Sequence, residues 1–165
     1  MVVLGIDPGT ALTGYGFINV SERGDLTPID YGVFSTPAKE KMENRLLMLY
    51  DGLKEKMLLY KPDYGAVEKL FFSNNVTTAI SVGQARGIVL LCMAQCHVPF
   101  AEFTPMEIKQ AVTGYGGADK RQVQQMVTAI LGLESVPKPD DAADALAAAI
   151  TCSGSITYLR LKDEL

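Results

Sequence analysis

The chain offers no disulfide framework. Its three cysteines, Cys92, Cys96 and Cys152, are an odd count in 165 residues and agree with a reducing compartment. Long apolar runs are missing too. None approaches the roughly 18 residues that a spanning helix needs, and MVVLGID passes directly into a strand without a basic leader. A helical membrane protein is thereby excluded, and a soluble, cytoplasmic chain with no membrane contact is expected. The last four residues spell KDEL, an address for retention in the endoplasmic reticulum. That address is read only inside the secretory pathway, and with a cytoplasmic chain expected it reads as coincidental.

Basic charge is scarce as well. With 15 Lys and Arg against 19 Asp and Glu, the net charge is −4, which argues mildly against a nucleic-acid partner. Net charge is a coarse measure, however. A cluster of acids that binds divalent cations accounts for such a deficit and leaves local basic patches intact. Histidine occurs once, at His97, close to Cys92 and Cys96, and this group lacks the fourth ligand of a zinc site. The two cysteines read as core thiols and His97 as a helix end. Repeats, low-complexity segments and linkers are lacking, so residues 1–165 read as one domain. A composition of 48% hydrophobic and 21% charged residues is ordinary for a globular one.

What the chain does have is a set of acids placed at the ends of apolar elements. In LGIDPGTALTGYGFINV, Asp7 closes an apolar run and precedes Pro8, which holds it in extended geometry as the last residue of a strand. Pro8-Gly9 supplies a turn, and Thr13, Tyr15 and Phe17 alternate with Gly14, Gly16 and Ile18 in a returning strand. Gly14 and Gly16 leave one face bare beside Asp7, a sign of close approach by a ligand or another backbone. Residues 2–7, 13–20 and 29–35 thus form an antiparallel meander. An amphipathic helix follows at 43–60, with Leu46, Leu49, Tyr50, Leu53 and Met57 on one face. DYGAVE, 63–68, is a short strand that again closes on an acid, Glu68.

A largely apolar helix spans 76–96, where Gly83 and Gly87 suggest close packing on the sheet; VPFAEF, 98–103, is a fifth strand. Thr104, Pro105 and Glu107 make a capping box for the next helix. A Gly-rich loop at 114–117 precedes a helix with Val123, Met126, Val127 and Ile130 on its core side. The last helix, DAADALAAAITC, runs to about residue 152. Three antiparallel strands followed by strand and helix alternation give an α/β fold with a five-stranded mixed sheet and helices on both faces.

If the strands ending in Asp7 and Glu68 are parallel neighbours, both carboxylates emerge at one sheet edge, where ligand sites of such sheets lie. Asp141 and Asp144 share a helix face, and the alanines around them, Ala142 to Ala149 with Leu146 among them, let that helix lie close to the sheet. Each acid has a simpler reading alone: Asp140 or Asp141 as an N-cap worth about 1 kcal/mol, Asp144 as a first-turn acid suited to the helix dipole, Asp7 as a solvated hairpin residue. Together they would repel one another unless a cation sat among them. Oxygen ligands without histidine or cysteine favour Mg²⁺ or Mn²⁺. Two such ions about 3.5 to 4 Å apart would clamp an in-line phosphoryl displacement.

LGIDPG, AVEKLFF, GQARG at 83–87 and PDDAADALAAAIT, in this order, resemble the RuvC family of Holliday-junction endonucleases across nearly the whole chain. The resemblance implies an RNase H-like fold, a homodimer, and Mg²⁺-dependent paired nicking of four-way junction DNA that leaves 5'-phosphate and 3'-hydroxyl ends. Mn²⁺ is expected to substitute. It carries catalytic and metal-binding roles onto Asp7, Glu68, Asp141 and Asp144, and it suggests a branch-migration helicase complex of RuvA and RuvB type as a partner. Phe71 matches the family's stacking aromatic, with Phe72 its neighbour; a base stacked there is worth roughly 1 to 3 kcal/mol. Lys109 and Lys120, near helix starts suited to phosphate, match basic residues near the cleaved strand. Arg121, Arg86 and Lys69 are weaker candidates. A nucleotide-hydrolysing relative of the actin and sugar-kinase superfamily is the rival reading of DPGT, but it needs a second enclosing domain, and no Walker loop appears. A catalytically dead junction binder would have lost acids, and none is missing.

Overall fold

Val2–Asp7, Leu12–Val20 and Tyr64–Glu68 form strands that are buried on both faces, whereas Leu26–Ser35 alternates half-buried and exposed residues. The computed structural model describes residues 1–69 and 76–163, with side chains at 1–69 and 79–156. In chain order the elements are β1 (Val2–Asp7), β2 (Leu12–Val20), β3 (Leu26–Ser35), α1 (Met42–Tyr60), β4 (Tyr64–Glu68), α2 (Val76–Gln95), β5 (Phe100–Phe103), α3 (Pro105–Thr113), α4 (Lys120–Ile130) and α5 (Asp140–Asp163). The strands make one sheet in the order β3-β2-β1-β4-β5. β1, β2 and β3 pair antiparallel, while β1 with β4 and β4 with β5 are parallel.

Side-chain alternation sends the strands' residues into two cores. Val3, Ile18 and Ala66 meet Ile108, Val123, Val127 and Leu146 from α3, α4 and α5. On the other face Leu4, Ile6, Phe17 and Val67 meet Leu53 and Met57 of α1 and Val89 and Met93 of α2. The expected mixed sheet with helices on both faces is therefore present. No helix among the described residues is long and apolar enough to cross a membrane.

The bare strand face is filled by a backbone. A methyl group added at Gly5 would run into the carbonyl oxygen of Ala145 and lie 2.6 Å from the amide nitrogen of Ala149. One added at Gly14 would collide with the carbonyl of Asp141, and one at Gly16 would lie 2.7 Å from Leu146 Cδ2. Ala142, Ala143, Ala145, Ala147, Ala148 and Ala149 are all buried, so α5 rests on β1 and β2 with almost no side chain between.

Two expectations change. Gly83 and Gly87 do not pack on the sheet: added methyl groups there would meet open space. Ala85, Val89, Cys92 and Met93 are the residues α2 turns inward. A glycine shows that room is available on a helix but not on which side. The last helix also continues well past residue 152, to Asp163. Its serines bond back into the helix, Ser153 Oγ to the Ile150 carbonyl at 2.7 Å and Ser155 Oγ to the Thr151 carbonyl at 3.1 Å. Ile156 is buried in the α3–α5 core, which gives this extra turn apolar anchorage.

Candidate functional site

Register decides where the first two acids stand. Ile6 pairs with Val67 across the parallel β1–β4 ladder, so the next step along both strands sets Asp7 beside Glu68. Asp7 pairs with Gly14 on its other side, in antiparallel register with β2. Gly14 is where α5 comes down: its added methyl would lie 3.2 Å from Asp141 Cβ. Asp141 therefore enters from above the partner of Asp7. Asp144, three residues on, lines a cleft with Glu68, Lys109, Lys120 and an apolar wall of Pro105, Ile108, Val123 and Ala147. The cleft holds about 220 Å³, less than the roughly 300–1,000 Å³ of a site that encloses a small ligand. That size suits a phosphodiester group presented from outside and disfavours the rival enclosure of a nucleotide.

Two capped helices fix the cations. Thr104 Oγ1 accepts from the Glu107 amide at 3.1 Å while Glu107 accepts from the Thr104 amide at 2.7 Å, the capping box expected for α3, which carries Lys109. The same reciprocal pair recurs at α4 between Asp119 and Gln122, both bonds at 2.8 Å. Lys120 is thus the first residue of a firmly started helix. Its Nζ lies 3.0 Å from Asp144 Oδ2 and 3.4 Å from Asp140 Oδ2.

The electrostatics identify Asp7 as the focus. Burial, then the charges of Glu68, Asp144 and Asp141, push its carboxyl up from 3.8 to about 7, with Lys120 pulling the other way. Glu68 is also raised, by burial and then by Asp144, against Lys120 and Lys109. Burial raises Asp144 too, and Asp141 and Asp140 add to the rise against the opposing Lys120. Burial opposes the charge of Lys120, yet its bonds and attraction to Asp144 and Asp140 outweigh that and raise it. The four sequence-predicted acids therefore feel one another. Among the described residues no three acidic, histidine or cysteine side chains already stand at coordination distance. The donor set still fits a hard divalent cation: it is all carboxylate, partly desolvated, and carries more negative charge than Lys120 neutralises.

Other candidates fall elsewhere. Phe71 and Phe72 lie outside the described residues. Arg86 belongs to the opposite face of the sheet, where its guanidinium is ion-paired with Glu102, the β5 neighbour of Val67. The structure does not bring it to the acids. Arg121 is exposed on the outer side of the α4 start, and Lys69 is exposed just beyond β4. Cys92 is buried with its Sγ 3.6 Å from Met57 Sδ, and burial together with Cys96 pushes its thiol up to about 12, the behaviour of a core thiol. His97 takes a left-handed φ of 56° just after the α2 terminus, as a helix end. Asp140 reads in the sequence as a cap, and the structure adds its ion pair with Lys120; its spacing, four residues before Asp144, puts both acids on one helix face without showing which cation reaches them.

A sequence model of the family described as crossover junction endodeoxyribonuclease RuvC matches residues 3–152. The crossover junction endodeoxyribonuclease RuvC of Desulfitobacterium hafniense is 56% identical over 160 residues, covering 96% of each chain. Among solved structures, Thermus thermophilus RuvC is similar with a TM-score of 0.88 at 36% identity. T. thermophilus RuvC in complex with Holliday junction substrate is similar with a TM-score of 0.87 at 33% identity; both comparisons cover 96% of each chain.

Proposed function

The chain belongs to the RuvC family of crossover junction endodeoxyribonucleases, and from this we infer that it hydrolyses phosphodiester bonds at four-way DNA junctions during recombination and repair. The observation that carries the local reading is the raised carboxyl of Asp7 at the end of β1, pressed by Glu68 of β4 and by Asp141 and Asp144 of α5. Asp7, Glu68, Asp141 and Asp144 are the residues that would hold divalent cations, Mg²⁺ with Mn²⁺ as a substitute. Bound there, two such ions would supply an activated water and charge for the attacking and leaving oxygens.

The chain's own residues do the positioning. β1 and β4 aim two carboxylates from a rigid sheet, and α5 brings two more to the same rim. Lys120 and Lys109 line the cleft beside them and suit a phosphate approaching from solvent. Phe71 and Phe72 would stack on a base exposed at the junction centre, and Arg121 would touch the flanking backbone. Hydrolysis would leave a 5'-phosphate and a 3'-hydroxyl. Because the site draws on residues from 7 to 144, residues 1–165 act as one nuclease domain.

Symmetric nicking of paired strands calls for two copies related by a two-fold axis. The outer face of α2 supports that assembly: Ile80 and Leu91 are exposed there, and Gly83 and Gly87 leave open space between them. A branch-migration complex of RuvA and RuvB type is proposed as a further partner on family membership alone. The test is a labelled synthetic four-way junction with Mg²⁺, comparing the wild type with Asp7→Asn. Paired nicks should appear and vanish in the variant while junction binding persists. Equal cleavage of linear duplex would overturn the junction specificity, and unchanged cleavage by Asp7→Asn would overturn the site.

A further inference from the structure

Asp140 stands outside the set of four acids, yet it shares a cation with one of them. It and Asp144 are four residues apart at the start of α5, so they lie on one helix face, one turn from each other. Lys120 reaches across from the start of α4 and forks between them, at 3.0 Å from Asp144 and 3.4 Å from Asp140. The two partners differ in setting. The Asp144 side chain is 25% exposed and that of Asp140 is 57% exposed, so one lies in the cleft and the other at its mouth. Asp141 takes no part in the fork: it sits over Gly14, towards Asp7.

An ammonium and a divalent cation cannot both use the same carboxylate oxygens of Asp144 at full strength. A cation that binds at Asp144 must loosen Lys120, and where the lysine then goes matters for catalysis. We propose that Asp140 is a positioning residue, a second berth that keeps the Lys120 ammonium at the mouth of the cleft when a divalent cation takes Asp144. The lysine moves from the inner partner to the outer one, a short displacement along α5. There it remains beside the cleft instead of dispersing into solvent, and it can meet an incoming phosphate. Lys120 is in this sense an internal competitor of the metal, and Asp140 sets how readily it yields. This inference rests on the reading of Asp144 as a cation ligand.

The test is a double-mutant cycle on Mn²⁺ affinity, measured by calorimetry without DNA, in wild type, Asp140→Asn, Lys120→Met and the double variant. Lys120→Met should bind Mn²⁺ more tightly, by about threefold or more, and yet cleave junctions more slowly, a split that a structural lysine would not produce. Asp140→Asn should weaken Mn²⁺ binding by about threefold in the wild-type background and by less than about twofold without Lys120. Asp140→Glu should restore the affinity. Equal losses in both backgrounds would mean that Asp140 acts only through its field and would overturn the inference. Circular dichroism of each variant separates these effects from unfolding. If the wild type binds Mn²⁺ but Asp7→Asn binds it equally well, the underlying site reading fails instead, and the two failures are distinct.

Discussion

Asp7 is held where its charge is least welcome. Burial and three neighbouring carboxylates push its carboxyl to about 7 from an ordinary 3.8. The folded state therefore holds a proton at Asp7 more firmly than the unfolded chain does. The contribution to stability is fully present below about pH 4, the unfolded value, and is lost as pH rises through 7. Asparagine cannot ionise, so Asp7→Asn should be more stable than wild type at pH 8 in chelator, by the order of 3 kcal/mol. The difference should shrink towards zero near pH 4. Urea unfolding followed by circular dichroism at both pH values checks this, and a variant less stable at pH 8 would mean that Asp7 is not strained. The acid's role as a strand-ending carboxylate was legible because Pro8 fixes its geometry. The fork of Lys120 was not, because spacing along α4 cannot show which acids of α5 its side chain reaches.

At the scale of elements, α5 against β1 and β2 is the contact on which the site depends. Gly5 and Gly14 let the helix backbone touch the strands, and this places Asp141 over the partner of Asp7. Gly14→Ala puts a methyl into the Asp141 carbonyl and should cost about 1–3 kcal/mol, the usual penalty of overpacking. It should also slow cleavage by lifting Asp141. Gly154 lies on the same helix facing open space, and Gly154→Ala should stabilise by about 0.5–1 kcal/mol with cleavage unchanged. Thermal unfolding and a nicking assay on both variants measure the contrast. The alanine run and the strand glycines announced this close approach in the sequence. The misplacement of Gly83 and Gly87 has the same origin: without a side chain the phase of α2 was unmarked, and only the buried Ala85, Val89 and Met93 fix it. The overrun of α5 to Asp163 was hidden by Ser153, Gly154 and Ser155, which discourage a helix locally but are overruled by the burial of Ile156.

Across the whole molecule, strand order converts distant residues into neighbours. The acids at 7, 68, 141 and 144 come within electrostatic reach of one another because β1 and β4 are central and parallel and α5 lies across β1 and β2. Periodicity, turn residues and the Thr104 capping box together predict the five strands and five helices found among the described residues, with their ends shifted by a few residues except at α5. The pairing of β1 with β4 was a condition that the sequence could state but not prove. The net charge of −4 is reconciled with a DNA substrate by the same geometry, since the acids cluster at one rim with Lys109 and Lys120 beside them. The claim that these carboxylates form one divalent-cation site is tested most directly by diffraction from crystals grown with Mn²⁺, using its anomalous signal. The expected result is a peak touching Asp7 and at least two of Glu68, Asp141 and Asp144, with Lys120 moved off Asp144. Manganese bound only elsewhere, with Lys120 still on Asp144, would contradict it.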